Sequence, residues 1–125
     1  MIDLKNKVIM ISGANRGIGY ATAKLLKEKA CILSLAARNP DEIKVGGDNV
    51  LKCMWDAKEK KLSKNWVSET ISHFDKIDGL VMNAGVELGG DLEGDSEEEF
   101  DEMFEVNFKG PLRLVRETLP ELRKT

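Results

Sequence analysis

Short apolar runs alternate along this chain with segments whose apolar residues recur at helical spacing. Val8-Ile9-Met10-Ile11 is a continuous run of strand length and reads as a buried parallel strand, with further strands expected near residues 32–37, 50–54 and 79–83. Helices are expected near 17–29, 60–74 and 97–122. The first carries Ile18, Ala21, Leu25 and Leu26, the second Leu62, Trp66, Val67, Ile71 and Phe74, and in the third Ser96 and Glu99 form a capping box ahead of Phe100, Met103 and Phe104. Strand and helix in alternation argue for right-handed βαβ crossovers, and so for an α/β fold on a parallel sheet. The connection from Asn39 to Asn49 is the exception. With Pro40, Gly46 and Gly47 it has room for at most about one helical turn.

Composition narrows the class without changing that picture. The 125 residues make one domain by length, with 42% hydrophobic and 33% charged residues and a formal net charge of -3, which gives no general attraction for nucleic acid or an anionic membrane. No apolar run is long enough to span a bilayer, and Met1-Ile2-Asp3-Leu4-Lys5 lacks a signal-peptide core, so the expected compartment is cytoplasmic. Cys31 and Cys53 fall near opposite ends of their strands, which opposes pairing and makes both reduced core residues. The carboxylates between Glu93 and Glu105 suit a helix N-terminus and its solvated side better than a metal, since no histidine or cysteine accompanies them. His73, the only histidine, sits late in a helix and reads as a surface residue.

The chemistry concentrates between the first strand and the first helix, in Ser12-Gly13-Ala14-Asn15-Arg16-Gly17-Ile18-Gly19. Gly13 suits the positive φ of a tight strand exit, Gly17 admits a phosphate close to the backbone, and Gly19 lets helix and strand approach. The helix N-terminus then presents free N–H groups to an anion. The glycines are spaced four then two, unlike the G-x-G-x-x-G form, so the turn alone identifies little.

Three later signals follow in order: Asp56 after the third strand, Met82-Asn83-Ala84-Gly85 at the end of the fourth, and Val106-Asn107 in the third helix. With the glycine turn, which resembles T-G-x-x-x-G-I-G, they resemble the adenine-binding aspartate, the N-N-A-G motif and the V-N-x-x-G motif of the short-chain dehydrogenase/reductase family. The resemblance implies a partial doubly wound Rossmann fold, with strand order 3-2-1-4 and helices on both faces. It also implies cofactor contacts from Gly13, Asn15, Arg16, Gly17, Ile18, Gly19, Arg38, Asp56, Asn83, Ala84 and Gly85. Met82 replaces the first asparagine of its motif, and Asp56 is open to a second reading as a helix cap.

The same resemblance makes Asn107 the one catalytic-set residue present, its carbonyl holding a water in a proton relay. Pro111, four residues on, has no N–H to give that carbonyl, so the carbonyl is expected to be free; a plain kink at Gly110-Pro111 is the other reading. The family's later serine and its Tyr-x-x-x-Lys pair have no counterpart: Tyr20 is the only tyrosine and no serine follows Ser96. The chain therefore reads as the cofactor-binding front half of an enzyme that stops short of its catalytic residues, inactive alone.

The second strand ends Ala37-Arg38-Asn39 with no acid to hold a ribose 2′-OH, whereas Arg38 and Arg16 suit a 2′-phosphate, so NADP(H) is expected over NAD(H). The complete enzyme would act on a small-molecule carbonyl or alcohol, with no nucleic-acid or membrane partner, and family members often form homo-oligomers through the helix matching 97–122. A non-catalytic nucleotide-binding or assembly module is the alternative, and a scaffold that binds no nucleotide is a third reading.

Overall fold

The computed structural model describes residues 2–83, 93–94 and 96–125. Its order is β1 (Val8–Ser12), α1 (Gly17–Glu28), β2 (Ile32–Ala37), a 3₁₀ turn (Pro40–Glu42), β3 (Val50–Met54), α2 (Lys60–Phe74), β4 (Gly79–Val81), α3 (Glu97–Phe104), a π-turn (Glu105–Lys109) and α4 (Gly110–Leu122). The strands form one parallel sheet in the order β3-β2-β1-β4, as the resemblance implies.

Alternation along β1 and β2 sends side chains to two separate cores. Ile11, Leu33, Leu35 and Ala37 pack with Ala23 of α1 and with Ile43 and Val45, while Met10, Ala36 and Cys53 pack with Trp66 and Val67 of α2 and Leu114 of α4. Ile43 and Val45 thus stand where a crossover helix would, which explains how so lean a connection covers the sheet. Lys27 Nζ donates to Gly46 O and Lys52 Nζ to Ile43 O, holding that connection from both sides. Cys31, just ahead of β2, and Cys53 are buried free thiols in different cores.

Below the sheet's α2 face runs a buried hydroxyl chain. Trp66 Nε1–H donates to Ser34 Oγ (2.8 Å), and Thr70 Oγ1 donates to Trp66 O (2.8 Å), which leaves the 2.7 Å Ser34–Thr70 contact to be donated by Ser34. Every group in it is satisfied in one direction. At the foot of β1, Val8 N–H donates to Asp78 Oδ2 and Asp78 N–H to Val8 O, both at 2.8 Å. Lys76 pairs with the same carboxylate at 3.0 Å. Burial raises the Asp78 pKa, but the Val8 amide and Lys76 outweigh it and hold the group below the usual carboxylate value.

Two expectations change. The buried face of α1 is Gly19 and Ala23, with Leu26 packed beside them, whereas Ile18 is 77% and Leu25 53% exposed. The row Ile18-Ala21-Leu25 turns outward because close approach at Gly19 decides which face meets the sheet. The single helix expected over 97–122 is three pieces, α3, the π-turn and α4, and Pro111 stands in the first turn of α4 directly after the π-turn. The widened turn immediately precedes the proline. Asn107 lies within the π-turn and has an interaction partner of its own. Ser96 caps α3 as foreseen, its Oγ accepting from Glu99 N–H at 3.2 Å.

Candidate functional site

In the order β3-β2-β1-β4 the chain direction across the sheet reverses between β1 and β4, and open α/β sheets bind ligands at the carboxyl ends of strands at such a point. A cleft of about 770 Å³ opens there. The end of β1 supplies Gly13, Asn15, Arg16, Gly17 and Ile18, the end of β2 supplies Arg38, the end of β3 supplies Asp56, and Asn83 follows β4.

Each glycine of the turn has a distinct constraint. Gly13 (φ 66°) and Gly17 (φ 59°) lie in the left-handed region, and a Cβ on Gly17 would meet no protein atom within 4 Å, so the position stays open toward the cleft it lines. Gly19 is closed: a Cβ there would stand 2.2 Å from Gly13 O and 2.6 Å from Asn83 Nδ2. Asn83 fastens the same point, with Nδ2–H donating to Gly13 O (3.3 Å) and its backbone N–H to Ser12 Oγ (3.0 Å). Gly19 and Asn83 therefore shape the turn, and Gly17 is its exposed floor. Arg16 begins α1 without a side-chain cap, and the first turn holds no acid, so the helix's positive end faces the cleft unneutralised.

Asp56 does not cap α2, whose N-cap is Glu59; its Oδ1 accepts from Lys58 N–H at 3.0 Å in a local turn and its residue lines the cleft. That turn is held from behind. A Cβ on Gly110 would meet Ala57 Cβ at 2.5 Å, and Arg113 Nη1 donates to Ala57 O (3.4 Å) and to Glu105 Oε1 (2.6 Å). The Arg113 guanidinium keeps the Glu105 carboxyl below its ordinary value. Lys58 also pairs with Glu102 of α3, and both line the cleft.

Arg16 and Arg38 are exposed, line the cleft, and make no ion pair among the described residues. Asn107 lies on the π-turn beside cleft residue Val106 but does not itself line the cleft. Ala84 and Gly85 lie outside the described residues. Sequence reasoning missed Glu42, Gly110 and the Lys58–Glu102 pair, all of which act across long chain separations; only the glycine of V-N-x-x-G gave a readable signal. Tyr20 and Lys24 happen to show Tyr-x-x-x-Lys spacing, yet they flank a second depression away from the cleft, with Lys24 Nζ 5.3 Å from the ring centroid of Tyr20. Among the described residues no group of three or more His, Cys, Asp or Glu could hold a metal ion, and no helix is long and apolar enough to cross a membrane.

Known proteins share this fold. An oxidoreductase of Listeria monocytogenes is 36% identical over 126 residues, covering 95% of this chain and 51% of its own. The 11-beta-hydroxysteroid dehydrogenase-like 3 of Arabidopsis thaliana is 30% identical, over 98% of this chain and 43% of its own. Among solved structures, an alcohol dehydrogenase from Thermococcus sibiricus complexed with 5-hydroxy-NADP superposes with a TM-score of 0.88 at 33% identity, over 97% of this chain and 55% of that one. A 3-ketoacyl-(acyl-carrier-protein) reductase from Brucella melitensis complexed with NADH gives 0.90 at 28%, over 97% and 52%. The chain spans about half the length of these relatives. The family model for short chain dehydrogenases matches residues 7–125, a span that takes in every strand and helix described above, and the chain belongs to that family.

Proposed function

We propose that this chain is the cofactor-binding half of an NADP(H)-dependent oxidoreductase acting on a small-molecule carbonyl/alcohol pair, with the remaining catalytic groups carried by the rest of a longer protein. The observation that carries the reading is the strand-end cleft, whose glycine floor is open at Gly17 and whose Arg16 and Arg38 have no intramolecular partner among the described residues. A nicotinamide dinucleotide fits these residues. Its pyrophosphate belongs over the turn at the N-terminus of α1, its adenine beside Asp56, and a 2′-phosphate between the two arginines. Asn83 sets the wall by pinning the turn, and the family resemblance gives Ala84 and Gly85 a cofactor-wall role.

When bound, the nicotinamide supplies or accepts the hydride exchanged with the substrate carbon. Within this chain the residues bind and orient; Tyr20, its only tyrosine, lines the other depression, and the proton for the substrate oxygen is assigned to the rest of the longer protein. Asn107 belongs to the reading as the residue whose carbonyl orders water for a relay completed elsewhere. Among the described residues Tyr20 and Lys24 stand at the second depression, away from the cleft, and a non-catalytic nucleotide-binding module is the second reading.

Relatives bound to NADH and to 5-hydroxy-NADP both exist, so the family does not choose the cofactor. Charge-assisted contacts of about 1.5–3 kcal/mol each support NADPH over NADH by about tenfold or more. Titration of both nucleotides into the protein and its Arg38→Ala variant tests this: the substitution should erase most of the preference, and equal affinities before it would rule the preference out. The exposed row Phe100, Phe104, Phe108 and Leu112 supports self-association of the enzyme. Sedimentation as a dilute monomer would count against it.

A further inference from the structure

The strand end that carries Arg38 has no acid, yet the fold returns one to the same place. Asn39 Oδ1 accepts from Asp41 N–H at 3.1 Å, Glu42 N–H donates to Asn39 O at 3.1 Å, and Ile43 N–H to Pro40 O at 3.0 Å, which makes a tight 3₁₀ turn. Ile43 is 2% exposed and anchors the turn's end in the core. So fixed, Glu42 points back to the glycine turn, where its Oε2 accepts from Asn15 Nδ2 at 3.3 Å, and it lines the cleft with Arg16 and Arg38. Its neighbour Asp41 does not. Glu42 forms no ion pair with either arginine among the described residues.

A carboxylate has about four lone-pair sites, and the Asn15 amide uses one. The others remain as acceptors in the wall where the arginines favour a phosphate. A phosphate carries about -1.5 to -2 charges and is repelled by such a group, whereas a ribose hydroxyl donates to it. We propose that Glu42 is a specificity-determining residue that opposes the two arginines: it accepts from a free ribose hydroxyl, disfavours a 2′-phosphate, and so holds the NADP(H) preference below what the arginines alone would give and keeps NAD(H) usable. This rests on the nucleotide reading above.

Glu42→Gln keeps the size and an acceptor for Asn15 while removing the charge. Binding of NADPH and of NADH is measured by calorimetry, and by energy transfer from tryptophan, since Trp55 lines the cleft. The ratio of the NADH to the NADPH dissociation constant should rise about fivefold or more in Glu42→Gln, through tighter NADPH and weaker NADH, and the rise should shrink at high salt. Asp41→Asn, with the same change in net charge one residue away, should leave the ratio unchanged. An unchanged ratio in Glu42→Gln, or an equal rise in Asp41→Asn, overturns the proposal while leaving the cofactor reading intact. Failure of the unsubstituted protein to bind either nucleotide overturns the cofactor reading itself, and this role with it.

Discussion

Replacing Gly19 by alanine tests whether one backbone contact sets the shape of the cleft. The added methyl would lie 2.2 Å from Gly13 O, 2.9 Å from Gly13 C and 2.6 Å from Asn83 Nδ2, so two of its three neighbours are backbone atoms that cannot rotate away. Overpacking of this kind costs about 3 kcal/mol, the upper end of the usual range. Alanine recovers about 1 kcal/mol because Gly19 is inside α1, where glycine is a poor helix former. The net loss is about 2 kcal/mol. With about 2.1 cal/mol/K of unfolding entropy per residue, a chain of this length loses about 4 °C per kcal/mol, or about 8 °C in Tm.

Urea unfolding followed by tryptophan fluorescence reads the loss, since Trp55 and Trp66 are both buried. Gly17→Ala is the companion. Its methyl meets nothing, but the positive φ costs about 1–2 kcal/mol and the methyl occupies the open floor, so nucleotide binding should fall more than stability. A Gly19→Ala protein as stable as the parent, within about 0.5 kcal/mol, would refute the idea that the turn and α1 are locked at this contact.

Two further outcomes follow from the core. Ser34→Ala leaves the Trp66 indole N–H without its acceptor and should cost about 1–3 kcal/mol in urea unfolding, and the cost should shrink in a Trp66→Phe background; equal costs in both backgrounds would break the proposed chain of hydroxyls. Asp78 titrates below its unfolded value in the folded protein, so its contribution is complete above the ordinary carboxylate range of about pH 4 and is lost as pH falls through the lowered folded value. Unfolding midpoints taken down through that range should therefore drop less steeply in Asp78→Asn, and identical slopes would show that the Val8 contact carries no linkage.

Much of this architecture was legible because it is local. The boundaries of β1, β2 and β3 follow from apolar runs bounded by glycine, asparagine and proline, and α2 from the spacing of Trp66 and Val67. Periodicity alone misassigned α1, since Ile18, Ala21 and Leu25 make as good a row as the true one, and only the Gly13–Gly19 approach decides between them. The arginines and Asp56 could be placed at strand ends by counting. Glu42 could not, because its return to the cleft depends on a cap from Asn39 and on burial of Ile43, neither of which marks a sequence as a binding site.

The π-turn leaves its own trace in the spacing of residues. Val106, Gly110, Leu114, Thr118 and Leu122 all face the α2-side core or the Ala57 turn, and they recur every four residues without exception. A row of fours overshoots the 3.6-residue turn of an α-helix by about 40° at each step, so over this length it would wind off the core. A wider turn at the start absorbs part of that drift. The wide turn between Val106 and Gly110 takes up the first of those steps, so that Val106 meets the core and Gly110, one turn later, still lies against Ala57.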